Sequence, residues 1–276
     1  MPTPPQAPKD SSSLSDPNVV KVTHIDWKVD VNFDTSILKA SATYTLEYVT
    51  PGARLVCLDT SHLKILKVTK ASNSGEDLPY TLHPLNKTKA HLGQQLAIAL
   101  PPNQQVDKVT VVYETTQQSS AVQCLPPAQT TGGEYPYLFT QCQAIHARTL
   151  IPCQDRPGCK ATYTAWVTVP EWATCVMSAV MKGVSNTANG KKEFHWDQHV
   201  PISSYLIAMA VGNLAKKDIS HRCAVWCEPS VVEAAAFEFE QTEDFLKIAE
   251  EISGKEYVWG RYDLLCLPGS FPFGGK

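Results

Sequence analysis

The chain predicts a mainly β protein in which several antiparallel sheets pack face to face, followed by the start of a mixed α+β unit. Three observations carry that prediction. Apolar and polar residues alternate with period two in long runs, turn-forming residues punctuate those runs, and near Asn213 the period becomes helical. A strand sends successive side chains to opposite faces, so period two marks one buried and one wet side. Many half-polar strands imply antiparallel sheets, which can face water on one side.

Leu38, Ala40, Ala42, Tyr44, Leu46 and Tyr48 alternate with Lys39, Ser41, Thr43, Thr45 and Glu47. Val109, Val111 and Tyr113 repeat the pattern, as do Tyr163, Ala165, Val167 and Val169 against Thr162, Thr164 and Thr168. Asn73-Ser74-Gly75 and Asn189-Gly190 read as turns. A β-domain is therefore expected over residues 19–213, after a loose tail rich in Pro and Ser over residues 1–18.

Past that point Ser230 and Glu233 make a candidate capping box behind Pro229. Val232, Ala235, Phe239, Leu246 and Ala249 then recur at helical spacing, with Gly254 placed to end the helix. Tyr262 to Leu267 reads as a short buried strand. One helix and one or two strands cannot close a core alone, so residues 214–276 read as an incomplete second domain. The alternative is an appendage packed on the β-domain. An incomplete domain leaves an apolar face, which favours self-association.

Composition narrows the class. Of 276 residues, 43% are hydrophobic and 18% charged, which suits a folded chain and not a disordered one. A net charge of -3, with no cluster of Arg and Lys interleaved with aromatics, argues against a nucleic-acid partner. The longest apolar run, Tyr205 to Gly212, is far shorter than the ~20 residues that cross a bilayer, so no membrane role is expected. The nine cysteines are odd in number and scattered, and the N-terminal residues contain no apolar h-region. Reduced thiols and a cytoplasmic address follow.

Candidate chemistry is sparse. His195 and His199 have the spacing of the zincin motif H-E-x-x-H, but Trp196 stands where the Glu belongs. That motif works on a helix, where positions four apart share a face. Lys192 to Val200 reads as a strand, and at a rise of about 3.3 Å the two histidines lie ~13 Å apart, too far to share one metal. Cys153 with Cys159 and Cys223 with Cys227 are spaced more loosely than zinc knuckles, and buried, inert cysteines are the better reading. Cys142 and His146 form a nucleophile and base only in an activating environment that sequence does not reveal.

Two segments say more. The first is Tyr135-Pro136-Tyr137-Leu138-Phe139-Thr140-Gln141-Cys142-Gln143-Ala144-Ile145-His146-Ala147-Arg148, running into Ile151-Pro152-Cys153-Gln154-Asp155. The second is Tyr257-Val258-Trp259-Gly260-Arg261-Tyr262-Asp263-Leu264-Leu265, leading to Ser270-Phe271-Pro272-Phe273-Gly274-Gly275. Together they resemble the leukotriene A4 hydrolase and aminopeptidase B branch of the gluzincin zinc aminopeptidases. The likeness covers nearly the whole chain after the tail.

That resemblance implies a saddle-like β-domain followed by the opening of a thermolysin-like catalytic domain. It implies a peptide substrate, and zinc in the intact parent, where zinc-activated water attacks the first peptide carbonyl with a Glu as general base. Gln141, Cys142, Gln143 and Ala144 would reach into the substrate cleft beside the peptide's N-terminal residue. A primary amide suits the task because it donates and accepts hydrogen bonds without adding charge. The bland alternative for Gln141 and Gln143 is an exposed strand pair. Pro272, Phe273, Gly274 and Gly275 would begin the family's exopeptidase loop, with Phe273 lining the first side-chain pocket. Paired glycines let a backbone run close along an extended peptide; the alternative is a flexible end.

One departure matters. Lys276 stands where the family has Met, and the amine-binding Glu, H-E-x-x-H, the third zinc ligand and the family's Tyr are not in these residues. The expectation is a front fragment with no catalytic residue and no zinc, which cleaves nothing. Its partners would then be the peptide and the missing remainder of the catalytic and C-terminal domains. Whether the parent also opens an epoxide fatty acid rests on residues outside this chain. The competing class is a non-enzymatic β-sandwich binding or scaffold module.

Overall fold

The computed structural model describes residues 10–71, 75–101, 106–187 and 189–272. Seven strands make its largest layer: β1 (Val20–Asn32), β2 (Ile37–Tyr48), β4 (Lys64–Lys70), β7 (Lys108–Glu114), β10 (Lys160–Pro170), β12 (Val180–Thr187) and β13 (Lys191–Ser203). They lie in the order β12-β13-β10-β1-β2-β7-β4. The period-two reading holds in each strand that suggested it. Leu38, Ala40, Ala42, Tyr44 and Leu46 are buried, whereas Lys39 and Glu47 are exposed. Asn189 and Gly190 both adopt left-handed backbone, which reverses the chain between β12 and β13. Of the other turn, Asn73 and Ser74 lie outside the described residues.

One part of the expected topology is corrected. The large sheet is mixed, because β1 and β10 run parallel from His24↔Thr162 to Asp30↔Thr168. Parallel pairing needs a long crossover instead of a tight turn, and most of the chain's first half separates these two strands. No local periodicity encodes that choice.

Two smaller sheets complete the β-structure up to Gly212. β3 (Leu55–Thr60), β6 (Gln94–Ala99) and β5 (Tyr80–Leu82) form one, in that order. β11 (Thr174–Met177), β14 (Met209–Gly212), β9 (Tyr137–Thr140) and β8 (Val122–Leu125) form the other. One apolar core runs through all three sheets, with Trp27, Leu58, Leu96, Val111, Leu138 and Val211 among its most buried members. Inside it Trp27 Nε1 donates to Tyr113 Oη at 2.9 Å, and Tyr44 Oη to the Pro152 carbonyl at 2.6 Å.

A buried charge cluster closes one end of this core. Arg148 is fully buried; its Nε donates to Asp155 Oδ2 at 2.8 Å, and its terminal nitrogens to the carbonyls of Leu92 and Ser12, each at 2.8 Å. Asp59, also fully buried, accepts from Ser13 Oγ at 2.6 Å and from the Asp155 amide at 2.9 Å. Burial pushes the Asp59 carboxyl up, and Arg148 pulls it back. The cluster also corrects the expected tail. Asp10 to Asn18 is docked and not loose, because Ser13 Oγ donates to the buried Asp59 carboxylate and the Ser12 carbonyl accepts from the Arg148 guanidinium.

Beyond Gly212 a fourth sheet forms, from β15 (Ala215–Asp218), β16 (Cys223–Cys227) and β17 (Tyr262–Leu265), with β16 and β17 parallel. Two helices replace the single one expected: α1 (Val232–Glu238) and α2 (Thr242–Ser253). Phe239 ends α1, and its carbonyl accepts from Thr242 Oγ1 at 2.7 Å. The capping box does not form. Val231 occupies the N-cap without a side-chain bond, and Glu233 pairs with Lys217 of β15. Gly254 ends α2 in the left-handed conformation, as its position suggested. β17 is half-exposed instead of buried, with Tyr262 39% exposed.

Candidate functional site

β9 carries the first of the two singled-out segments. Tyr137, Leu138 and Phe139 are buried, and the strand pairs with β14 through Leu138↔Val211 and Phe139↔Ala210. Gly212 lets β14 pass over the Tyr137 ring, since a Cβ there would lie 2.6 Å from the ring carbon Cδ2. The chain then leaves the sheet at Gln141, whose amide donates to the Ala121 carbonyl at 2.9 Å. Gln141 Oε1 accepts from the Gln143 amide at 3.0 Å, so this side chain shapes its own loop. Cys142 is buried, Gln143 and Ala144 are exposed, and the peptide bond between those last two is cis.

The loop is tied down behind the exposed pair. His146 donates its amide to the Cys142 carbonyl at 2.9 Å, and its Nδ1 lies 2.6 Å from Ser120 Oγ. Thr149 Oγ1 donates to the His146 carbonyl at 2.8 Å and accepts from the Ala121 amide at 3.0 Å. Gln143 and Ala144 are thus presented to solvent from a loop anchored at both ends.

The second segment arrives alongside. Ser270 Oγ donates to the Gln129 carbonyl at 2.7 Å, and the Phe271 amide donates to the Pro268 carbonyl at 2.8 Å. The Phe271 ring meets Phe139 edge to face, with centroids 5.0 Å apart. Phe139 lies just before Gln141 in the chain, so the two segments adjoin. Pro272 is exposed at the end of this approach; Phe273, Gly274 and Gly275 lie outside the described residues. The loop bearing Gln129 is itself held by Glu228, whose carboxylate accepts from the Thr131 and Gly132 amides at 2.8 and 3.1 Å. Sequence spacing gave no sign of Glu228, Ser120 or the Phe139–Phe271 contact, because all three depend on contacts remote in the chain.

The zinc that the resemblance implies does not fit the described residues. His195 and His199 lie along β13, with His195 stacked on Trp166 at 5.0 Å and Trp196 buried between them. Zinc takes thiolates, and burial pushes Cys159 and Cys227 up to about 11 and raises Cys153 well above its ordinary value. Among the described residues no group of three or more His, Cys, Asp or Glu could hold a metal ion. Among them, too, no helix is long and apolar enough to cross a membrane.

A mainly β, multi-sheet domain with an anchored, solvent-facing loop defines a class, and comparison with known proteins gives it a family. Residues 21–206 match the Peptidase M1 N-terminal domain, and the chain belongs to that family. It is 39% identical over 271 residues to the leukotriene A-4 hydrolase of Xenopus laevis, covering 96% of this chain and 43% of that protein. It is 38% identical over 267 residues to leucine aminopeptidase 2-2 of Scheffersomyces stipitis, covering 96% and 40%. Among solved structures, native yeast LTA4 hydrolase superposes with a TM-score of 0.88 at 33% identity, covering 99% of this chain and 42% of that one. The chain therefore spans about two-fifths of the length of the relatives it matches.

Proposed function

We propose that this chain is the front part of a zinc-dependent aminopeptidase and supplies two walls of its substrate cleft. Residues 19–213 are the β-domain and residues 214–276 the opening of a thermolysin-like catalytic domain. Gln141 to Ala144 would form one wall, and the segment beginning at Pro272 and including Phe273, Gly274 and Gly275 the other. The observation that carries this reading is the seating of Phe271 on Phe139, which sets the two segments side by side. The exposed Gln143 amide suits an extended peptide backbone, which offers alternating donors and acceptors. The fungal relatives are named leucine aminopeptidases, which favours a peptide with a free N-terminal residue as substrate.

The zinc ligands are read as lying outside these residues. The 276 residues contain no H-E-x-x-H, and the spaced histidines lie on a strand. The isolated chain is accordingly expected to carry far less than one zinc per molecule by elemental analysis and to release no amino acid from peptides. The test of the cleft is an amide-resolved NMR titration of the 276-residue chain with an unblocked tripeptide. Shifts in both the Gln141–Ala144 loop and the residues around Pro272 are expected. Shifts at neither segment would overturn the assignment and return the chain to a non-enzymatic binding module.

A further inference from the structure

Strands β16 and β17 run parallel with Trp226 opposite Leu265, and the Cys266 amide donates to the Trp226 carbonyl at 2.9 Å. The ladder ends at that pair, and the same register continued one step sets Cys227 opposite Cys266. Neighbouring strands lie about 4.8 Å apart, inside the roughly 4.4–6.8 Å between Cα atoms that a disulfide spans. Directly paired residues of parallel strands project from the same face of the sheet, so the two side chains share one side. Both are thiols in this structure, Cys227 buried and Cys266 half-buried. Burial first, and then Glu228, Cys227 and Cys266, push up the buried Tyr137 hydroxyl, which has no hydrogen-bond partner among the described residues. The pair therefore sits at the seam where β9 meets β16 and β17.

We propose that Cys227 and Cys266 form a reversible dithiol–disulfide pair, oxidised by a low-molecular-weight disulfide such as glutathione disulfide. The half-buried Cys266 gives up its proton, and its thiolate attacks one sulfur of the small disulfide and expels one small thiol. Cys227 then deprotonates and attacks the Cys266 sulfur, expelling the second small thiol. Two protein thiols become one S–S bond, one small disulfide is reduced to two thiols, and the two protons pass to the leaving thiolates. Burial raises both thiols, Cys227 to about 11 with Cys266 and Glu228 adding to the rise, so exchange quickens as pH rises. The bond would lock β17 to β16 just ahead of the segment that carries Phe271. This pairing stands apart from the peptide-binding reading.

The test uses the full 276-residue chain, incubated with excess glutathione disulfide in mildly alkaline buffer and quenched by alkylation. Intact mass is expected to show the loss of two hydrogens, reversed by dithiothreitol. A tryptic digest without reductant is expected to join the peptide that begins at Cys223 to the one that begins at Tyr262. Fragment ions between Cys223 and Cys227 place the bond. The oxidised chain is expected to melt at a higher temperature than the reduced one, a difference absent in Cys266→Ser. A bridge to Cys223 or any other cysteine, a Cys266 that stops at the glutathione adduct, or two thiols still alkylated in full would each overturn the proposal.

Discussion

The β-structure up to Gly212 and the α/β unit after it are held together by different forces. The first buries its large side chains, and Trp27, Tyr44, Tyr113 and Tyr163 are each at most 2% exposed. The second leaves Phe237, Phe245, Ile248 and Ile252 between 51% and 83% exposed. Its second helix is clamped by Arg222, which grips both carboxylate oxygens of Glu250 at 2.6 and 2.8 Å and reaches Glu243 at 3.2 Å. Those two acids lie on the face of α2 that turns toward β16, while the apolar stripe of Phe245, Ile248 and Ile252 points away. Two sheets stacked on a third can close a core from alternating strands, whereas one small sheet and two short helices offer too little surface to cover. An arginine organises each region, but Arg148 works in the interior and Arg222 near the surface.

That contrast is broken most severely at Arg148. Arg148→Ala leaves Asp59 and Asp155 buried without their cation, and breaking a buried pair costs about 3–5 kcal/mol. Urea unfolding of the β-region is expected to move to much lower denaturant, and proteolysis to open the Ser12–Ser15 strap first. An unchanged midpoint would mean that the buried carboxylates are satisfied without the guanidinium.

The exposed stripe of α2 gives the next largest effect. Apolar patches of this kind drive association, so light scattering is expected to show an apparent mass that rises with concentration. Phe245→Lys combined with Ile252→Lys is expected to return the chain to a concentration-independent monomer. A parent chain that is already monomeric at every concentration would show that the stripe is inert.

The Arg222 clamp predicts a smaller effect, legible in pH. The hydrogen bonds from Arg222, and then the Tyr257 amide, hold the Glu250 carboxyl down to about 2 from an ordinary 4.5. Its folded-state value lies below its unfolded one, so its contribution is fully present above about 4.5 and is lost as pH falls through about 2. Glu243 is lowered as well, by Ser220 first and Arg222 next. Amide exchange is expected to show α2 loosening in acid before the β-strands do. Arg222→Ala should remove that acid step and much of the salt sensitivity of α2.

How far sequence alone reached follows the same division. In β2, β7 and β10 each residue's face is set by its own strand's alternation, so burial was readable residue by residue. The parallel partnership of β1 with β10 was not, because no local pattern records which distant strand a strand will meet. The missing capping box fails for the same reason: Glu233 is drawn to Lys217, a contact across two elements. The docked Ser12–Ser15 strap needed Asp59 and Arg148 to be seen together. Gln141 to Ala144 and Pro272 were picked out by family likeness and not by spacing. The ring contact that sets them side by side, Phe139 on Phe271, joins residues far apart in the chain.

Phe271 is the joint between the two regions, and it carries the smallest predicted effect. Its edge-to-face contact with Phe139 is worth about 0.5–1.5 kcal/mol beyond the area it buries. Phe271→Ala should therefore lower overall stability only modestly, since Phe139 stays packed by β14 and the rest of the core. The local effect should be larger. Amide exchange at Phe271 and its neighbours is expected to quicken, while exchange in β9 stays slow. The loop of Gln141 to Ala144, tied independently through Ser120 and Thr149, should keep its protection. If that loop loosens together with the Phe271 segment, the two regions share one cooperative unit, and the division between interior burial and surface clamp fails at the place where they touch.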